Sequence, residues 1–381
     1  KVKEILDFLG EKAPFDTCEE WDNVGLLVGS GYLPATRVLV ALDVTDGALE
    51  ITKRKLRQNI IDHPECKIFG LTQMDWYNPC QCPECAKIDT EEGSHAGTMI
   101  RFVNACAESI AEEFPDILID TFAYQYTRQA PSNVIPRDDV IVGLCSIECC
   151  FSHPLSDPDC EVNKAFQHDI IEWGKICNRI YIWDYTTNFK FYVPTYANFG
   201  ALRENMQFYH QNGARGMFSQ GNYESVSGEF AELRIYLLAK LMWDPYMSEE
   251  EYYTHMDEFL EAYYGAGWEG IRKYIDKTTE PAQSNCMSIY SHPFEIISKE
   301  NYLANEADFE AWWTTAEALA GNRKAYVKRS RLQWRYIRLM LHPNTAEAYN
   351  LWDEICWYYD MKFAESWQYN KAPDEWYNEE S

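Results

Sequence analysis

The chain has 381 residues, 60 acidic against 34 basic, for a formal net charge of −26, which excludes nucleic acid and an anionic membrane surface as partners because both need a basic footprint. A hydrophobic fraction of 46% supports a large core and excludes disorder over most of the length. At roughly 150 residues per domain this length holds two or three domains, and no apolar run approaches the roughly 18 residues of a membrane span.

Apolar positions Val2, Ile5, Leu6 and Leu9 have the spacing of an amphipathic helix. Two short apolar runs follow at residues 24–28 and 38–42, bounded by Gly, Pro or Asp and readable as strands. A helix is expected over residues 52–61, then a strand over 67–73. Further strands are expected at 117–122, 140–146, 179–185 and 213–220, with helices at 97–114, 163–176, 202–211 and 229–242. Strands that alternate with helices imply βα units and a parallel sheet. Pro131 and Pro136 make the link from 122 to 140 a long loop instead. Beyond Trp243 only helices are expected, at 248–264, 306–319, 323–341 and 345–367, with Leu332, Tyr336, Leu339 and Met340 on one face. The last ten residues are expected to fray.

In a parallel α/β sheet the chemistry collects at the C-terminal strand ends. Here those ends carry Gln73-Met74-Asp75-Trp76, Tyr124-Gln125-Tyr126, Ser146-Ile147-Glu148, Trp183-Asp184-Tyr185 with Asn188, and Gln220-Gly221-Asn222-Tyr223. Three ends offer a carboxylate, and nearly all add an aromatic ring with an amide or hydroxyl. Glycosidic cleavage needs this inventory: a protonated carboxyl for the leaving oxygen, a group that stabilises an oxocarbenium-like transition state, and rings that stack on sugar faces. The alternative is that strand-end Asp and Asn only cap helices or satisfy loops. The 26 Tyr, 18 Phe and 13 Trp exceed what a core needs, and stacked rings commonly wall ligand clefts.

The 13 cysteines are an odd number, too sparse for a disulfide scaffold, and KVKEILDFLGEKAPF lacks the features of a secretory signal. A cytoplasmic setting is the expectation, or a secreted or periplasmic one if a leader precedes this start. Cys80, Cys82 and Cys85 would hold a structural zinc if Cys149, Cys150, His95 or His153 folds in as fourth ligand; an inert cluster or a disulfide are the alternatives. Gly29-Ser30-Gly31 lacks the Lys and spacing of a phosphate loop, and Ser94 and Ser219 lack a nucleophile-elbow context.

Two resemblances apply to different parts of the chain. APFDTCEEWDNVGLLVGS and RVLVALDVT, within residues 1–50, resemble the N-terminus of the NIF-three-like family, the GTP cyclohydrolase I type 2 homologues. That family holds a dinuclear metal centre. Only Asp62-His63-Pro64 echoes its first His pair, so its metal chemistry, and with it a nucleotide-hydrolase activity, is not expected here. From about residue 52 to the end, QMDWYNPCQCPEC, EEGSHAGTMIRFVN, IDTFAYQYTR, LCSIECCFSHPL, RIYIWDYTTNF and FSQGNY resemble the family called domain of unknown function 4838, which is similar to glycoside hydrolase family 163, endo-β-N-acetylglucosaminidases.

The second resemblance implies an α/β fold with a partial or complete (β/α)8 TIM-barrel-like domain over residues 51–244 and an all-helical domain over 245–381. It also implies a substrate-assisted, retaining cleavage of β-linked N-acetylglucosamine in glycans, with no cofactor required. Glu148 is the candidate general acid, and Asp75 or Asp184 the group that orients the acetamido. Trp76, Tyr126, Trp183, Tyr185, Asn188, Gln220 and Tyr223 would line the sugar subsites. Gln73-Met74-Asp75 stands where the family is expected to carry Gln-Asn-Asp, and the 50-residue head replaces the first barrel strands. The competing expectation is a carbohydrate-binding protein without turnover.

Overall fold

The computed structural model describes residues 46–365. The expected helix at 2–9, the strands at 24–28 and 38–42 and the frayed C-terminus lie outside the described residues. The chain forms two compact units, Lys1–His63 and Pro64–Ser381. In the first, helix α1 (Asp46–Asp62) begins several residues before the expected start and buries Leu56 and Ile60 on one face.

The second unit is built on five parallel strands in sequential order: β1 (Ile68–Gly70), β2 (Leu118–Ala123), β3 (Val140–Cys145), β4 (Ile180–Tyr185) and β5 (Ala214–Gln220). β3 reads VIVGLC and is buried at every position, as expected of a continuous apolar run in the middle of a parallel sheet. β2 and most of β4 alternate between buried and half-buried residues, because successive side chains point to opposite faces. Ile119, Thr121, Ala123, Ile180 and Ile182 are the buried set. The other face, with Asp120, Phe122, Tyr181 and Trp183, is partly open to solvent.

Helices α2 (Pro83–Glu92), α3 (Ala96–Glu108), α4 (Lys164–Ile176), α5 (Phe199–Gln211) and α6 (Ala231–Trp243) connect or follow the strands. The link from β2 to β3 carries no α-helix, only a 3₁₀ turn at Gln125–Thr127. What secures this long loop is the Glu92 carboxylate, which is fully buried. It accepts from Arg101 Nη2 at 2.6 Å and from the amides of Asn133 and Val134 at 2.8 and 3.0 Å. These donors hold its pKa down against the opposing effect of burial. Gly97 lies against it: a Cβ there would stand 2.3 Å from Glu92 Cγ.

Beyond β5 the described residues contain helices and no strand: α7 (Glu249–Tyr264), α8 (Trp268–Ala282), the single turn α9 (Pro293–Ile296), α10 (Lys299–Leu319), α11 (Lys324–Leu341) and α12 (Thr345–Asp353). Ser248 opens α7 with a reciprocal capping box to Glu251. Sheet and helices share one apolar core, which runs without a break from Ala96 and Val142 through Tyr274 and Trp313 to Ile337. Leu332, Tyr336 and Leu339 do lie on one buried face and form a second cluster with Leu351, Ile355 and Phe363.

Three differences from the sequence reading have local causes. The first strand shortens to Ile68–Gly70: its last ladder contact is the Leu71 amide to Asp120 O at 2.8 Å, and beyond it the Gln73 side chain donates to Tyr124 O at 3.0 Å. α2 starts on a Pro and ends on Gly93 in the left-handed region, φ 65°, a helix short enough that its Pro and Gly signals outweigh its periodicity. The last helix stops near Asp353 and widens into a π-turn at Glu354–Tyr358; Asp360 then takes up the left-handed region at φ 53°.

Candidate functional site

The C-terminal ends of β1 to β5 share one edge of the sheet. At the end of β1, the Asp75 carboxylate accepts from Tyr124 Oη at 3.0 Å and from Gln125 Nε2 at 3.2 Å. The Gln125 amide also donates to Tyr124 Oη at 3.0 Å. Gln125 is a non-glycine residue at φ 50°, and its Oε1 is buried with no hydrogen-bond partner among the described residues. Backbone strain and an orphaned acceptor at one position each oppose stability. Gln73 and Thr127 bond side chain to side chain and brace this turn from behind. Trp76 is exposed beside it, and Tyr126 is half-buried, edge-on to His95 at 6.0 Å between centroids.

Glu148, after β3, is 47% exposed and paired with Arg128. Arg128 in turn donates through Nε to Asp169 Oδ2 at 2.7 Å, and its backbone carbonyl accepts from Trp173 Nε1 at 2.7 Å. Desolvation opposes the charge on Arg128, but the two carboxylates raise its pKa further, so the guanidinium stays cationic.

The end of β4 divides the predicted residues between two faces. Asp184 is only 4% exposed and points toward the helices, where Ser146 Oγ and Tyr209 Oη donate to it at 2.6 and 3.0 Å. Burial raises its pKa against those donors. Trp183 faces the other way, as a period of two requires. Tyr185 shares that face but is buried beneath Phe189, 5.8 Å away between centroids. Asn188 is enclosed too: its amide donates to Ser291 O at 2.7 Å, and its oxygen accepts from the amides of Lys190 and Phe191. Asp184 and Asn188 therefore sit behind the cleft.

At the end of β5 a cavity of about 660 Å³ is lined by Trp183, Phe218, Gln220, Tyr223, Ile235 and Glu365. Trp183 packs edge-on between Phe122 and Phe218 at 5.1 and 4.7 Å, and its Nε1 donates to Gln220 Oε1 at 2.9 Å. Gln220 Nε2 donates to Glu365 Oε1, and Tyr192 Oη to Oε2, both at 3.3 Å. Burial raises the Glu365 pKa, the Tyr192 bond opposes that, and Glu224 adds to it. Tyr223 is 81% exposed at the mouth.

The Cys80, Cys82 and Cys85 thiols do come together, with their sulfurs within 4.8 Å of one another. Cys82 caps α2 and accepts from the Cys85 amide at 3.5 Å. None of the four residues considered as a further ligand joins them. His95 Nδ1 bonds Asp89 at 2.5 Å, Cys149 is buried, and Cys150 and His153 face Cys160 and Cys286 instead. No disulfide is present among the described residues.

Two carboxyl groups were not singled out from the sequence. Glu365 is distant in sequence from every strand end, yet its carboxylate accepts from Gln220 Nε2 at the end of β5. Asp120 sits within β2 on the Phe122 face, and burial pushes its pKa up to about 6. Alternation in LIDTFA could have placed it, since it sits two residues before Phe122.

The family described as Domain of unknown function (DUF4838) matches residues 40–276, and Duf34/NIF3 (NGG1p interacting factor 3) matches residues 1–66. A GTP cyclohydrolase 1 type 2 homolog from Staphylococcus aureus (strain Mu50) is 38% identical over 74 residues, 19% of this chain and 20% of that protein. The homolog from Staphylococcus epidermidis (strain ATCC 12228) is 38% identical over 63 residues, 16% and 17% of the two chains. The chain thus spans about a fifth of the length of these curated relatives. No solved structure matches.

Proposed function

Because the chain belongs to the DUF4838 family, whose function its description leaves unknown, we propose from its own residues that it is a glycoside hydrolase-like protein that cleaves β-linked N-acetylglucosamine in glycans. The observation that carries this reading is the Asp75–Tyr124–Gln125 cluster. It offers a carboxylate and a buried, unpartnered amide oxygen side by side on a strained turn. An acetamido group presents an N–H donor that such acceptors complement, and strain with an orphaned acceptor is typical of functional positions.

Sequential strand order, 1-2-3-4-5, is the winding of a (β/α) barrel, and five strands would make a partial one. In the proposed chemistry the acetamido carbonyl oxygen attacks the anomeric carbon while the glycosidic C–O bond breaks. The leaving oxygen takes its proton from Glu148, and Asp75 aligns the acetamido group. Water then opens the cyclic intermediate with retention, and its proton returns to Glu148. Trp183, Phe218 and Tyr223 would stack on sugar rings, and Gln220 and Glu365 would read hydroxyls.

Glycan binding without turnover is the second reading, and one observation favours it: Arg128 engages Glu148, so the carboxyl must leave that pair to act as an acid. A release assay on N-glycoproteins and chitin-type oligosaccharides, read by mass spectrometry, tests the proposal. Product from the parent that is abolished in Glu148→Gln with binding retained supports hydrolysis. Binding without product supports the second reading, and neither binding nor product sinks both.

A further inference from the structure

A second sulfur-rich cluster lies outside the cleft. Cys150, His153 and Cys160 come from the loop that follows β3, and Cys286 from the loop that follows α8. Their four ligand atoms lie within 4.8 Å of one another. Cys150 Sγ is 3.3 Å from His153 Nδ1, Cys286 Sγ is 3.8 Å from the same nitrogen, and the Cys160 and Cys286 sulfurs are 4.0 Å apart. A tetrahedral zinc, with Zn–S of about 2.3 Å and Zn–N of about 2.0 Å, spaces its donors about 3.5–3.8 Å apart. We propose that Cys150, His153, Cys160 and Cys286 bind one zinc ion as a closed structural Cys3His site.

The surroundings fit that ligand set. His153 Nε2 lies 2.7 Å from Gln283 O; a proton on Nε2 donates to that carbonyl and leaves Nδ1 as the unprotonated ligand. This is the second contact that metal-bound histidines usually make. The Met287 amide donates to Cys150 Sγ at 3.4 Å. Such a donor offsets part of the charge that three thiolates would place around one divalent ion. A donor set of three sulfurs and one nitrogen selects zinc over harder cations, which prefer oxygen. Cys150 and Cys160 are buried while Cys286 is exposed, which gives the ion a path in from solvent.

The site would act as a clamp. The two loops already meet through the Phe151 amide to Met287 O at 2.8 Å and through Ser152 Oγ to Asn285 O. Zinc would add coordinate bonds across the same seam, two residues from Glu148. Cys80, Cys82 and Cys85 form a separate group, so the two can be tested independently.

Metal content of the full chain, purified and reconstituted with zinc under anaerobic, reducing conditions, tests the proposal by elemental mass spectrometry. The expected result is that Cys286→Ser and Cys160→Ser each lose one equivalent of zinc relative to the parent, while Cys82→Ser and the exposed Cys66→Ser keep that equivalent. Should either ligand variant misfold by circular dichroism, His153→Cys decides. An all-thiolate tetrad retains the metal, and its cobalt-substituted form shows stronger thiolate-to-metal absorption than the cobalt-substituted parent. Zinc content unchanged in Cys286→Ser, no cobalt–thiolate band in the parent, or a Cys160–Cys286 disulfide with no bound zinc would each overturn it.

Discussion

Replacing Asp120 by Asn is expected to stabilise the second unit above about pH 6 and to change little below about pH 4. Asp120 lies on the half-open face of the sheet, and no hydrogen-bond donor or cation meets its carboxylate among the described residues; burial alone raises its pKa from 3.8 to about 6. The folded chain therefore holds a proton between those values that the unfolded chain has released. Stability falls as pH rises through that window and stays lower above it, because the native state there carries an uncompensated, partly desolvated charge. A shift of about two units corresponds to about 3 kcal/mol, and solvent screening of a part-buried group brings this to about 2 kcal/mol. Asn has nearly the shape of the protonated acid and never ionises, so it removes the pH-dependent part. Urea denaturation of parent and variant across this pH range reads the difference. If the gap between the two does not widen as pH rises, or if Asn is the less stable at neutral pH, the assignment of an unpaired buried carboxylate is wrong.

Two further substitutions follow from the packing. Arg234 is buried, donates to Glu229, Asn198 and Tyr196, and stands over Phe199 at 4.7 Å. Arg234→Met strands the Glu229 carboxylate and is expected to cost about 3–5 kcal/mol, part of which Glu229→Gln in the same chain should restore; a double-mutant cycle by chemical denaturation checks this. Gly97→Ala gains about 1 kcal/mol of helix propensity but drives a methyl into Glu92, whose carboxylate is locked by three donors. A net loss of about 1–2 kcal/mol is expected, read as a lower thermal midpoint.

Strands and strand-flanking helices were legible because their signals are local: β3 is an apolar run, and α3 and α4 repeat apolar residues at helical spacing. Two other elements escaped for different reasons. α8 buries Ile271, Tyr274, Ile275, Thr278 and Ala282, yet Gly270 and Pro281 in its sequence read as breakers. α2 declares itself only by its terminal Pro and Gly. At the site, position along a strand located Asp75, Trp183 and Gln220, but which face a residue uses depends on one-residue register. Asp184 beside Trp183 shows the consequence, since the two side chains leave the strand on opposite faces of the sheet. Asn188, expected to line a sugar subsite, is instead engaged by its own loop and by Ser291. Glu365 was out of reach, because nothing local records that Tyr192 and Phe189 would receive the backbone of residues 363 and 365.

That late contact bears on how the cleft is made during synthesis. Translation proceeds from the N-terminus and folded portions form as they emerge, so Trp183, Phe218, Gln220 and Tyr223 have all left the ribosome well before Glu365. The wall that Glu365 supplies is added last, after the sheet and α12 have been synthesised. A nascent chain stalled short of it would carry the aromatic surface of the cleft without its final carboxyl, open to any passing apolar partner.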